Sequence, residues 1–326
     1  MKIHFDNVAQ FGTGPGTFAN RLARQLFESG HEVAFAAEGA DVSLVFIERS
    51  GAPLAKKVVQ RLDGIWFKPE EFHTKNVGIK SLYEQADGVI WQSKFDREMS
   101  IRHFGVRIRD VHRRRFTSRG PVAGVDQVIN NGIDLNPLKE LTIPALVDLR
   151  AQYKRMYVCS SNWHPQKRLA ANVQLFERLR QKEPSSCLII MGNNPDVRVA
   201  GPHVFYAGAV GPEVYNQIYS AANWMLHLAW ADHCPNVVVE ALAQGTPVVC
   251  SEVGGTKELV GSYGLVLKEQ PYDFELADYD NPPALDLSQV DELPDRTTLD
   301  YSSIADIDIR NVANKYIQLF EELIRQ

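Results

Sequence analysis

The chain has 326 residues, 44% of them apolar and 23% charged, and a net charge of −5 at pH 7. That length suits two compact domains of roughly 150 residues each better than one core, and the acidic balance excludes a global field that would gather nucleic acid or anionic membrane. Cys159, Cys187, Cys234 and Cys250 form no C-x-x-C pair and have no histidine at finger spacing, which excludes a disulfide framework and a zinc finger and fits a reducing, cytoplasmic compartment.

Short β-rich runs alternate with amphipathic stretches along the whole chain, the pattern of parallel βαβ units. Met1-Lys2-Ile3-His4-Phe5-Asp6 reads as a strand start rather than a signal peptide. Strands are predicted at 3–8, 32–37, 42–47, 64–67, 88–92 and 127–130. A first helix over 17–29 would set Phe18, Leu22, Leu26 and Phe27 on one stripe, with Gly30 at its C′ position. A turn-rich stretch between Asn131 and Pro144 divides the chain into a first domain, 1–135, and a second, 136–305.

The second series has strands at 156–160, 187–191, 204–207, 224–228, 247–250 and 265–267, with helices at 167–181, 212–221, 235–244 and 256–260. Apolar runs such as Leu188-Ile189-Ile190-Met191 fall far short of the roughly 20 residues of a membrane span, so only peripheral membrane contact stays open. Residues 269–305 are rich in Asp, Glu and Pro and read as an irregular surface excursion. The closing segment 306–326 carries Val312, Tyr316, Phe320 and Leu323 at helical spacing over 309–324. It is expected to pack back toward the first domain.

Three places could hold an anion. The first βα turn, Phe11-Gly12-Thr13-Gly14-Pro15-Gly16-Thr17, could present backbone N–H groups at a helix start, although its spacing is not G-x-G-x-x-G and a plain tight turn reads equally well. In Asp232-His233-Cys234-Pro235-Asn236-Val237-Val238-Val239-Glu240, Pro235 suits a first helical position. The preceding turn would then offer amides to a diphosphate, with Asp232 and Glu240 placed to meet a sugar and a ribose. Read without that ligand, Glu240 is a solvated helix residue and Asp232 a loop acid. The third place is Arg107, Arg109, Arg113, Arg114, Arg115 and Arg119, either a solvated face or a seat for an anionic partner. Asp278-x-Asp280 and Asp306-x-Asp308 mimic a metal-binding D-x-D but lie away from every motif, so no metal is assigned. His4, His31, His103 and His227 read as structural.

The segment from Asp232 to Glu240, continuing as Ala241-Leu242-Ala243-Gln244-Gly245-Thr246-Pro247-Val248-Val249, resembles the E-x7-E signature of retaining GT-B glycosyltransferases, family 4 above all (glycosyl transferases group 1). Gly254-Gly255-Thr256-Lys257-Glu258-Leu259-Val260, the junction Asn131-Gly132-Ile133-Asp134 and the strand ending at Ser93 are similar to further motifs of that family. The resemblance implies an α/β architecture of two Rossmann-like, doubly wound domains facing across a cleft. It further implies metal-independent transfer of a hexose or pentose from a UDP- or GDP-sugar, with retention of configuration and no other cofactor.

By the same resemblance Glu240 would hold the ribose, Asp232 would stand in for the family's first Glu one methylene shorter, and Lys167 would face the diphosphate. Gly14, Gly16, Asn162, Arg168, Cys234, Pro235, Asn236 and Val237 complete the expected donor contacts. Asn162 occupies the place of the family's arginine, which Arg168 or an arginine of the first domain would replace. Asp63 and His73 are acceptor-side candidates. The acceptor itself, whether glycan, protein, lipid carrier or modified nucleic acid, has no sequence marker. A sugar phosphorylase, a nucleotide-sugar epimerase and a non-catalytic nucleotide-sugar or polyanion binder are the rival readings.

Overall fold

Runs of β-branched, aromatic and aliphatic residues build two all-parallel sheets in the computed structural model, which describes residues 1–8, 14–107, 126–138, 140–193, 201, 203–296 and 304–326. The first unit comprises Met1–Ile133, Asp273–Ala277 and Ala305–Gln326. Its strands are β1 (Lys2–Asp6), β2 (Glu32–Ala34), β3 (Val42–Phe46), β4 (Lys57–Leu62), β5 (Gly88–Trp91) and β6 (Gln127–Val128), in the order β2-β1-β3-β4-β5-β6. Helices α1 (Gly14–Glu28), α2 (Pro69–Lys75), α3 (Val77–Gln85) and α4 (Lys94–Phe104) lie between them in sequence.

The second unit comprises Asp134–Tyr272 and Asp278–Ile304. Strands β7 (Arg155–Ser160), β8 (Ser186–Met191), β9 (Val204–Gly208), β10 (Trp224–His227), β11 (Val248–Ser251) and β12 (Gly264–Leu267) pair in the order β12-β11-β10-β7-β8-β9. Helices α5 (Pro144–Gln152), α6 (Leu169–Lys182), α7 (Pro212–Ala221), α8 (Asn236–Ala243) and α9 (Thr256–Val260) connect them. Every residue of β8 and β11 is buried, as expected of parallel strands covered on both faces. This strand order is that of a Rossmann sheet, and it reverses between β7 and β10.

The last helix, α10 (Ile309–Ile324), belongs to the first unit. Its stripe of Val312, Tyr316, Leu319, Phe320 and Leu323 is fully buried in one cluster with Phe18, Leu22 and Leu26 of α1 and Ile3 of β1. The junction strengthens that packing. Ile133 exchanges backbone hydrogen bonds with Ile307 and Ile309 at 2.8 and 2.9 Å. A Cβ on Gly132 would stand 2.9 Å from Val312 Cγ2, so nothing larger than glycine fits without a shift.

The structure corrects several sequence expectations. The fourth strand is β4 rather than 64–67, because Gln60 and Arg61 are polar yet buried and break the apolar pattern by which a strand is recognised. Phe27 is 73% exposed; Leu26 already closes the i, i+4 row from Phe18 and Leu22, and the next residue turns about 100° away. Helices α2, α3, α4 and α5 were not anticipated. Helix α6 begins at Leu169, two residues late, because Arg168 takes a left-handed conformation with φ 51°. Helix α8 begins at Asn236, with Pro235 as an extended N-cap at φ −69° and ψ 120°.

Among the described residues, 269–296 hold no strand or α-helix. They are not merely surface, however. Val290 and Leu293 are buried in the core of the second unit, and Arg296 donates to the carbonyl oxygens of Ser220, Ala222, Gln244 and Gly245. Asp273–Ala277 belong to the first unit, where the Phe274 ring lies 5.3 Å from Phe95.

Phe320→Ala removes a fully buried ring from the α10 seam and should destabilise the first unit by about 3–5 kcal/mol, measured as a lower urea midpoint with unchanged slope.

Candidate functional site

Ligands of open α/β sheets bind beyond the carboxyl ends of the strands where strand order reverses; in the second unit that point lies between β7 and β10. The loop after β7 passes through a 3₁₀ turn at Pro165–Lys167, and the loop after β10 runs to the start of α8. Gln166 stitches them together. Its backbone oxygen accepts from Trp230 N at 2.9 Å, and its side-chain amide donates to Trp230 O at 2.9 Å.

Two non-glycine residues here have left-handed backbones, Arg168 at φ 51° and Ala231 at φ 52°. Each costs on the order of 1–2 kcal/mol, and each adjoins one of the charged residues the site uses. On the far side, Gly255 N donates to Asp232 O at 2.7 Å and Ala231 N to Val253 O at 3.0 Å. Gly254, at φ +131°, comes so close that a Cβ would lie 2.8 Å from Asp232 O. The Gly-Gly pair of the motif thus serves backbone approach.

These constraints bring Lys167 Nζ to 2.7 Å from Asp232 Oδ2, with His227 Nε2 at 3.2 Å from the same oxygen. The lysine, aspartate and histidine side chains are 17%, 13% and 3% exposed. Burial alone would push the Asp232 carboxyl up, but Lys167 and His227 outweigh it and hold the group far below the usual carboxylate range. Asp232 is therefore ionised throughout the physiological range. A lysine ammonium has three donors, and among the described residues Asp232 is the one partner of Nζ.

Glu240 lies on α8, eight residues after Asp232, and is 6% exposed. It neighbours the phenol of Tyr219, which burial, and then the charge of Glu240, push well above its ordinary value while a Ser160 hydrogen bond pulls it down. The acid is thus not a solvated helix residue, and Tyr219, whose phenol feels its charge, also hydrogen-bonds Ser160, the last residue of β7. Val238 N and Val239 N bond back to Pro235 O at 3.1 and 3.3 Å. The amides that open a helix before such bonds are the ones that carry its partial positive charge. Cys234 and Pro235 are buried, Asn236 and Val237 half-buried.

Other expected site residues lie elsewhere or act differently. Arg168 is buried, and its guanidinium is engaged by Glu269 at 3.0 Å, by Pro283 O at 2.6 Å and by Leu228 O at 3.3 Å; Glu269 in turn accepts from Val253 N at 2.8 Å. It braces the loops rather than standing in for the missing arginine. Asn162 is exposed. Gly14 and Gly16 form the first turn of α1 in the first unit, while residues 9–13 of the glycine turn lie outside the described residues. Asp63 ion-pairs with the fully buried Arg61, whose guanidinium sits 4.2 Å over the Phe18 ring and also meets Asn131. His73 is exposed on α2.

Arg107 is buried against Asp126 at 2.7 Å and so drops out of the proposed anion seat; Arg109, Arg113, Arg114, Arg115 and Arg119 lie outside the described residues. Asp308 caps α10 by accepting from Arg310 N at 2.9 Å. Burial raises the Cys187 and Cys250 thiols to about 12, leaving them inert. His227, Gln166 and Tyr219 were not singled out for the site by sequence. For His227 the available signal was its place at the carboxyl end of β10, five residues before Asp232.

Two Rossmann-like parallel sheets with helices, as here, are the architecture of the GT-B glycosyltransferase fold. Residues 154–278, most of the second unit, match the family model described as "Glycosyl transferases group 1", in agreement with the resemblance carried by 232–260. A search of the curated proteins by sequence finds no significant match. Among solved structures the chain is similar to HepE of Anabaena in complex with UDP and glucose, at 18% identity and a TM-score of 0.63, covering 99% of this chain and 100% of that one. It is similar to AviGT4, a glycosyltransferase of avilamycin A biosynthesis, at 18% and 0.61 over 100% and 98%. A third is WaaG, a glycosyltransferase of lipopolysaccharide biosynthesis, at 12% and 0.59 over 100% and 98%. No helix among the described residues is long and apolar enough to cross a membrane.

His233, beside the ion pair, supplies a pH test. Burial lowers it to about 4 from an ordinary 6.5, with Asp232 raising it and Lys167 lowering it. Between those values the unfolded chain binds a proton that the folded chain refuses, so stability falls as pH drops from about 6.5 to about 4. Asp232 stays ionised across this window. His233→Gln should remove up to about 1.4 kcal/mol per pH unit from that slope, read by urea unfolding at pH 7, 6, 5 and 4.

Proposed function

We propose that this chain is a retaining glycosyltransferase that moves a hexose or pentose from a UDP- or GDP-sugar to an acceptor nucleophile, in a reducing compartment and without a metal. The single observation that carries the proposal is the Lys167–Asp232 ion pair at the reversal between β7 and β10, in the loop that leads to α8, the helix on which the buried Glu240 lies. The solved HepE complex, which contains UDP and glucose on a similar fold, supports a nucleotide-sugar donor. The four free, buried thiols support the reducing compartment.

In this reading the diphosphate lies against the opening amides of α8 and the two remaining donors of Lys167, with the ribose on Glu240 and the sugar near Asp232. As the bond from the anomeric carbon to the phosphate oxygen breaks, its electron pair moves onto the diphosphate. Charge grows where the lysine and the helix dipole already point. Stabilisation that is greater in the transition state than in the ground state is what accelerates the step. The acceptor oxygen attacks on the face the leaving group vacates and passes its proton to the departing phosphate, so configuration is retained.

UDP or GDP should raise the melting temperature of the protein, because a ligand bound to the native state stabilises it. Screening UDP- and GDP-sugars against glycan, peptide, lipid-carrier and modified-nucleic-acid acceptors should reveal transfer. Glu240→Ala and Lys167→Ala should each cut transfer at least about tenfold, ~1.4 kcal/mol, with the fold retained. Unchanged turnover in both variants contradicts the assignment, and conversion of a donor sugar with no acceptor present identifies an epimerase instead.

A further inference from the structure

We propose that His227 is a positioning residue for the donor sugar: it fixes the Asp232 carboxylate so that one oxygen is reserved for anchoring and the other for a sugar hydroxyl. This deepens the transferase reading and rests on it. Lys167 Nζ and His227 Nε2 both meet Oδ2, at 2.7 and 3.2 Å. Oδ1 accepts no hydrogen bond from any described residue. A carboxylate accepts only, so the histidine bond requires the proton on Nε2.

The need for a second anchor follows from the chemistry expected of the first. Lys167 would be shared with a diphosphate, which draws on the same ammonium and loosens its hold on Asp232. His227 is 3% exposed on its side chain and ends a central strand, where β10 lies between β7 and β11. It cannot follow the phosphate. The Asp232 backbone is fixed independently, by Gly255 N at 2.7 Å and by the left-handed Ala231 before it. With the backbone clamped and Oδ2 tied, the side chain has no freedom left, and Oδ1 is the atom that reads the sugar. A short Asp fits this role better than a Glu, whose extra torsion two donors on one oxygen would not arrest.

The test compares nucleotide with nucleotide sugar. Affinities of wild type, His227→Leu and His227→Gln are measured by calorimetry for UDP, for GDP and for UDP- and GDP-sugars, with thermal unfolding as a check on folding. The nucleotide sugar that wild type binds best is carried forward. In His227→Leu the nucleoside diphosphate should bind within about twofold of wild type, while the added affinity and the transfer due to the sugar fall about tenfold. His227→Gln, whose amide N–H reaches about as far as Nε2, should recover most of that loss.

If His227→Leu weakens nucleoside diphosphate and nucleotide sugar by the same factor, or if Gln recovers no more than Leu, His227 is only part of the core and the proposal fails. It also fails if the sugar adds no affinity in wild type. Wild type that binds no nucleotide at all overturns the transferase reading instead.

Discussion

The candidate site depends on one ion pair between residues that 65 positions of chain separate, Lys167 and Asp232. Forming it requires the carboxyl ends of β7 and β10 to be neighbours, which the Rossmann strand order supplies. It also requires two loops to turn sharply enough to face each other. The left-handed residues Arg168 and Ala231 show where the backbone cost is taken, and the hydrogen bonds of Gln166 and Gly255 show what offsets it. Partly buried charges are costly unless well paired. An arrangement that concentrates a lysine, an aspartate and two histidines at one end of a sheet is more readily explained by a ligand than by stability.

A second layer keeps the first in place. Arg168, buried and bonded to Glu269, Leu228 O and Pro283 O, ties the irregular acidic segment to the loops of the site. Glu269 then orders Val253, whose carbonyl receives Ala231 N. Residues that composition marks as a solvated tail therefore act as bracing, and the arginine expected to meet phosphate is occupied in holding that brace.

Much of the second unit was legible in the sequence because its signals are local. Continuous apolar runs mark fully covered strands, and the Pro-to-Gly interval marks α8 within one residue. What escaped was encoded by contacts distant in sequence. Strand β4 carries a buried Arg61 that is tolerable only because Asp63, Asn131 and the Phe18 ring surround it. His227 looked structural because a histidine that ends an apolar strand reads as core, although Asp232 stands only five residues further on. Arg107 looked like one of a basic run, and only the fold reveals Asp126 beside it. Buried charge is hard to read from sequence when the contacts that make it tolerable include residues distant in the chain, as Phe18 and Asn131 are from Arg61.

The most direct measurement is a crystal structure of the protein with UDP bound. The account predicts the diphosphate within hydrogen-bond distance of Lys167 Nζ and of the opening amides of α8, the ribose hydroxyls on Glu240, and Asp232 still held through Oδ2 by His227. A nucleotide seated elsewhere, or one that leaves Lys167 and Glu240 untouched, would contradict it.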